Sequence, residues 1–120
     1  MNLHGLRVFL AEDEPLLLME LEENLGDMGC KVVGTASKVS ETLEILASQE
    51  FDLAILDVRL RDSTIEPVGD ALVARGIPFV IATGDSSLEP LRRFPDAPVL
   101  NKPYSVEDLH QALLRLKAGS

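Results

Sequence analysis

Asp57 ends the run Phe51-Asp-Leu-Ala-Ile-Leu-Asp57, so a carboxylate closes a mostly apolar stretch. Carboxylates are seldom buried unless they are paired or bound to a metal. A buried strand ending in Asp carries that group to the rim of its sheet, where α/β proteins place their chemistry. Glu12 and Asp13 follow the run Leu6–Ala11 in the same way, and Thr83 follows Phe79–Ala82. A further segment, Pro98–Asn101, runs directly into Lys102. Acids, a hydroxyl and an ammonium are thereby offered to one edge.

Two carboxylates at short range repel unless a cation lies between them. Asp13 and Asp57, if they sit on neighbouring strands, suit Mg²⁺, which keeps several waters and also binds phosphate. Mn²⁺ can take its place. Glu12 can hold one of the waters, and the backbone carbonyl of Arg59 is a further candidate ligand. A chance meeting of acids at the rim is the plainer alternative. Thr83 and Lys102 add what phosphoryl oxygens need around them. In that chemistry Asp57 is the nucleophile and becomes an acyl phosphate. Lys102 pairs with Asp57 at rest and with the phosphoryl oxygens afterwards, and Thr83 donates its hydroxyl to one of them. Their plainer readings are a surface lysine and a β-branched strand residue. Arg59 and Asp85 each lie two residues beyond a strand end, with Gly84 beside Thr83. These three are candidate modulators, and Arg59 with Asp85 is expected to form a partly exposed ion pair that controls the attacking water. Two solvated charges are the alternative. Lys102–Pro103 is a candidate cis bond.

The elements that must position these groups alternate. Leu6–Ala11 reads as a short buried strand, and Pro15 suits the first turn of a helix. Leu17, Leu18, Leu21 and Leu25 repeat at helical spacing until Gly29. Lys31–Ala36 reads as a more exposed strand, and Lys38–Ser48 as a helix with Val39, Leu43 and Leu46 inward. Asp52–Asp57 is apolar on both faces, as in a parallel sheet. Arg59–Glu66 reads as a polar loop before a helix opened by Pro67, carrying Val68, Leu72 and Val73 and stopped by Gly76. Ile77–Ala82 is a fourth strand. A short helix fits before Pro95, and Val99–Asn101 is the last strand. Ser105 is a credible N-cap, with Asp108 three residues on. Its helix, carrying Val106, Leu109, Leu113 and Leu116, is expected to end near Leu116, with residues 118–120 frayed. Five βα units with right-handed crossovers predict a doubly wound sandwich around a five-stranded parallel sheet.

The chain has 120 residues, enough for one domain over 1–120. Hydrophobic residues make up 46% and the net charge is -9. The first figure points to a globular chain, and the second disfavours nucleic acid or an anionic membrane as the main partner. Cys30 is the single cysteine, so an internal disulfide is excluded, and a packed, inert thiol is expected. No run approaches the length of a membrane span and no signal peptide is evident, so cytoplasmic residence is expected.

Taken together, Val8–Pro15 (VFLAEDEP), Phe51–Leu60 (FDLAILDVRL), Pro78–Gly84 (PFVIATG) and Asn101–Pro103 (NKP) resemble the receiver domain of two-component response regulators. The resemblance extends from the first strand to the last helix. It implies a flavodoxin-like, CheY-like fold, with Asp57 as phosphoacceptor, Glu12 and Asp13 as the acidic pair, Thr83 as the switch hydroxyl and Lys102 as the family's lysine. It also implies a partner histidine kinase or histidine phosphotransfer protein, Mg-dependent autodephosphorylation, and a possible downstream signalling protein. The phrase PFVIATG resembles a stand-alone subgroup with a PFxFATG-like fourth strand, used in phosphorelays or stress signalling. In such proteins the helix after the acidic pair docks the partner. Here that surface would include Pro15, Leu16 and Met19, with Pro103 and Tyr104 beside it, although Leu16 and Met19 suit a core equally well. A monomer or a weak phosphorylation-dependent homodimer is expected. Val99 stands where the family usually has Tyr or Phe, so the switch must work by another movement, such as a rearrangement around 85–95.

Other functions are compatible with these residues. A pseudo-receiver would bind protein without being phosphorylated. Phosphatases with an aspartyl nucleophile often carry a second Asp two residues on, where this chain has Arg59. A nucleotide-binding domain would need a glycine-rich loop after the first strand, which is absent.

Overall fold

A computed structural model describes residues 3–84 and 89–119. The chain alternates β1 (Arg7–Ala11), α1 (Pro15–Asp27), β2 (Lys31–Ala36), α2 (Val39–Leu46), β3 (Leu53–Asp57), α3 (Glu66–Ala74), β4 (Phe79–Thr83), α4 (Glu89–Arg93), β5 (Val99–Asn101) and α5 (Val106–Gly119). All strand pairs are parallel, in the order β2-β1-β3-β4-β5. This is the flavodoxin-like arrangement. The winding reverses between β1 and β3, which opens a crevice outside their carboxyl ends.

Alternation along β3 divides the core. Leu53 and Ile55 face a cluster with Val8, Leu10, Leu21, Leu25, Leu109 and Leu113, beneath α1 and α5. Ala54 and Leu56 face the opposite cluster, with Phe9, Val39, Leu46, Val68, Leu72 and Phe94 beneath α2, α3 and α4. Because both faces are covered, β3 and β4 can be apolar throughout and still end in Asp57 and Thr83. Gly29 takes φ of +87° just after α1, a conformation that a side chain would strain.

Several helix faces differ from expectation. In α2 the buried residues are Val39, Thr42 and Leu46, while Leu43 is exposed. Thr42 tolerates burial because its hydroxyl donates to the Lys38 carbonyl at 2.8 Å. Val73 and Val106 are exposed, one on the outer side of α3 and the other in the first turn of α5. The segment expected to be a polar loop after β3 buries Leu60 and Ile65. It is folded back by an isolated bridge between Arg59 and Thr64. Its Asp62 accepts the N–H groups of Val39 at 2.6 Å and Ser40 at 3.1 Å, capping α2 from outside that helix. At α5 the Ser105 hydroxyl accepts the Asp108 N–H at 3.0 Å, and Asp108 accepts the Ser105 N–H at 3.2 Å. That reciprocal pair is a capping box with Asp in place of Glu. The helix it starts runs on to Gly119, past Leu116.

Candidate functional site

The parallel register sets the geometry of the rim. Leu10 and Ala11 pair with Ile55 and Leu56, so Glu12 and Asp13 leave β1 beside Asp57. Asp57 pairs with Ala82, which puts Thr83 one residue beyond it. Thr83 pairs with Asn101, and its carbonyl accepts the Lys102 N–H at 2.8 Å. The lysine is thereby delivered from β5 across the end of β4. Carboxylate oxygens of Glu12, Asp13 and Asp57 all lie within 4.8 Å of one another.

Lys102 binds this group of acids directly. Its Nζ donates to Asp57 Oδ2 at 3.0 Å and to Glu12 Oε1 at 3.2 Å. Burial disfavours the ammonium, yet the hydrogen bond and charge of Asp57, with the charge of Glu12, hold it above the ordinary lysine range. Glu12 is almost fully buried, at 3% exposure. Burial and the adjacent Asp57 carboxylate push its carboxyl up to about 7, against the Glu14 N–H and Lys102, which favour ionisation. The Glu14 N–H donates to Glu12 Oε2 at 3.1 Å, so the acid also ties the start of α1 to the site. Three acids facing one ammonium leave an excess of negative charge that a divalent cation relieves. These oxygen donors fit Mg²⁺.

The remaining predicted residues are distributed around this centre. Thr83 is buried at the end of β4, and Gly84 is exposed just after it. Arg59 is exposed. The hydrogen bonds of its bridge run from Ile65 N–H to the Val58 carbonyl and from Leu60 N–H to the Ser63 carbonyl. They flank Arg59 and leave its own carbonyl out of the bridge. The expected Arg59–Asp85 ion pair involves a residue outside those described. Val99 pairs with Ile81, two residues behind Thr83, and is 39% exposed. On α1 the core alternative for Leu16 and Met19 does not hold, because they are 75% and 62% exposed. Pro15 and Pro103 are exposed as well, whereas Tyr104 is half-buried against the α1–α5 cluster. Burial pushes its phenol up to about 12. The Lys102–Pro103 peptide is cis. Cys30 is buried, and burial raises its thiol pKa.

Sequence reasoning missed the seam between α3 and α4. Arg93 donates from Nε to Asp70 Oδ1 at 2.9 Å and from Nη2 to Asp70 Oδ2 at 2.7 Å. Phe94 packs edge-on to Phe79, with ring centroids 5.3 Å apart. It also occupies the space above Gly69, where a Cβ would come within 2.3 Å of the ring. The pattern of apolar residues carries no trace of an ion pair between exposed helix faces. Gly69 inside a helix was the available signal, since such a glycine often marks close approach.

The family model for the response regulator receiver domain matches residues 8–114. The transcriptional regulatory protein PdtaR of Mycobacterium tuberculosis is 35% identical over 111 residues, covering 89% of this chain and 54% of PdtaR. The chain thus spans about half the length of that curated relative. The solution structure of SdrG from Sphingomonas melonis Fr1 superposes with a TM-score of 0.81 at 41% identity, over 98% of this chain and 99% of SdrG. The receiver domain of the sensor histidine kinase PA1611 from Pseudomonas aeruginosa PAO1, solved with magnesium in its active-site cleft, shares the fold. Its TM-score is 0.80 at 22% identity, over 97% and 99% of the two chains. Receiver domains of two-component signalling bind Mg²⁺ in an acidic pocket and work with histidine kinases or phosphotransfer proteins. By sequence, topology and the acids gathered at its rim, this chain belongs to the response regulator receiver family.

Proposed function

We propose that the chain is a phosphorylation-dependent switch or relay intermediate whose phosphoacceptor is Asp57. A carboxylate oxygen of Asp57 attacks the phosphorus of a partner phosphohistidine. The P–N bond breaks, its electron pair stays on the imidazole, and an acyl phosphate forms. Water later attacks that phosphorus, the acyl P–O bond breaks, and inorganic phosphate leaves with the carboxylate restored. Glu12, Asp13, Asp57 and the Arg59 carbonyl would hold Mg²⁺, which supplies charge stabilisation to the phosphoryl oxygens. Lys102, already 3.0 Å from Asp57, transfers its hydrogen bond to a phosphoryl oxygen. Thr83 donates its hydroxyl to another. Gly84 and Arg59 border the proposed route of the attacking water.

The observation that carries this reading is the placement of Lys102 on Asp57 and Glu12 beside three converging carboxylates. The exposed apolar pair Leu16 and Met19, with Pro15, Pro103 and part of Tyr104, is the proposed docking surface for a kinase or phosphotransfer helix. We assign the chain to relay or stress signalling, as a monomer or a weak homodimer when phosphorylated. Acetyl phosphate with Mg²⁺ should add one phosphoryl group to the intact mass, and Asp57→Ala should abolish it. An unmodified wild-type protein would instead favour a pseudo-receiver. Steady turnover of unrelated phosphomonoesters would favour a phosphatase.

A further inference from the structure

The α3–α4 seam contains two acids for one arginine. Arg93 is bound through both donors to Asp70. Glu66 lies four residues before Asp70 in α3, one helical turn away on the same face and at the end that follows Asp57 in the chain. Its Oε1 is buried and has no hydrogen-bond partner among the described residues. Such an oxygen is costly to leave unsatisfied and calls for an explanation. The Glu66 charge also adds to the field that keeps Arg93 protonated. Between the two acids stands Gly69, whose missing side chain lets the Phe94 ring lie directly on α3. Among the described residues, α4 is held by Leu91 and the Phe94 ring against the core and by the exposed Arg93–Asp70 pair, and of these the exposed pair is the weak one.

We propose that Arg93 has two seats on α3: Asp70 in the resting protein, and Glu66 when the site carries a phosphoryl group. The proposal rests on Asp57 being the phosphoacceptor. Thr83 moves toward the phosphoryl oxygen and α4 follows it along the chain. The guanidinium then passes one turn up α3, toward the rim, and satisfies the buried Glu66 oxygen. The bare surface at Gly69 lets the Phe94 ring move with it. This exchange gives the domain two discrete arrangements without an aromatic residue at position 99, and the phosphoryl group favours one of them.

Reciprocity makes the exchange measurable, because weakening the resting seat must strengthen binding at the site and weakening the second seat must do the opposite. The probe is beryllium fluoride with Mg²⁺, titrated into the full chain. Asp70→Asn should tighten its binding by about two- to fivefold, and Glu66→Gln should weaken it by about the same factor. In an Arg93→Gln background neither substitution should matter. Urea unfolding checks that every variant is folded, and an Arg93 Nε–H resonance that shifts with the probe in wild type but not in Glu66→Gln supplies a second readout. Changes of the same sign, or none, in wild-type background overturn the two-seat exchange while leaving the phosphoacceptor reading intact. A wild-type protein that binds no probe removes the phosphoacceptor reading and the coupling with it.

Discussion

The two flanks of the site are held by different forces. On one, α1 and α5 run for 13 and 14 residues and seat Leu21, Leu25, Leu109 and Leu113 in a buried cluster. That flank carries Glu12, Asp13 and Lys102, the groups whose positions the chemistry needs fixed. On the other, α4 has five residues; Leu91 and the adjoining Phe94 pack on the core, and the exposed Arg93–Asp70 pair ties the helix to α3. Apolar burial is strong and non-directional, whereas a surface ion pair is weak and easily exchanged. On the proposed function, the difference is a division of labour between an apolar-packed side that performs the transfer and a side tied by a surface ion pair that reports it.

Breaking the apolar-packed flank should have the largest effect. Lys102→Ala leaves Glu12 and Asp57 facing each other without their ammonium. It should slow labelling by acetyl phosphate by about 100-fold or more. It should also cost about 3 kcal/mol of stability at pH 8, read from urea unfolding. At pH 6 the cost should shrink, because Glu12 can then take up a proton.

On the flank tied by the ion pair, Gly69→Ala forces the Phe94 ring off α3. It should destabilise the fold by about 1–3 kcal/mol. Adding Phe94→Leu to Gly69→Ala should restore part of that loss in the same unfolding assay, as a smaller side chain relieves the clash.

The pH response sharpens the contrast further, since it belongs to Glu12 on the apolar-packed side. Its folded value of about 7 lies above the ordinary 4.5, so the folded protein holds the proton more tightly. The associated stabilisation is fully present below about 4.5 and is lost as pH rises through 7. Without divalent cation, the decline between pH 4.5 and 8 should be on the order of 1–3 kcal/mol. Glu12→Gln should flatten it, and Mg²⁺ should reverse it by binding the ionised acids. Urea midpoints at several pH values, with and without Mg²⁺, check both outcomes.

The smallest effect on the fold is expected at Leu16 and Met19. Exchanging both for Ser should change stability by less than about 0.5 kcal/mol per site, because their side chains are largely in solvent. The same exchange should weaken phosphoryl transfer from a cognate partner, measured in a reconstituted reaction, and leave acetyl phosphate labelling unchanged.

The strands were legible because each is a short apolar run bounded by a chemical break. Lys31–Ala36 and Val99–Asn101 match the observed β2 and β5 at both ends. The site was legible for the same reason: parallel strands deliver whatever follows them to one rim, so Glu12, Asp13, Asp57, Thr83 and Lys102 could be grouped before any distance was known. Helix faces were harder. One residue turns a helix by about 100°, so Leu43 and Val73 fall outside although each adjoins a buried neighbour. Asp62 capping α2 across 23 positions, and Arg93 reaching Asp70 over the same separation, are tertiary bonds with no periodic signature. Leu60 and Ile65 were hidden among polar neighbours, although the fold buries both.

The most direct test is to locate the modified residue. After acetyl phosphate treatment with Mg²⁺, borohydride reduction converts an aspartyl phosphate to homoserine, which peptide mapping can place. Homoserine at position 57 alone is the predicted result. Its appearance at Asp13, or an adduct at a histidine with position 57 unchanged, would contradict the assignment.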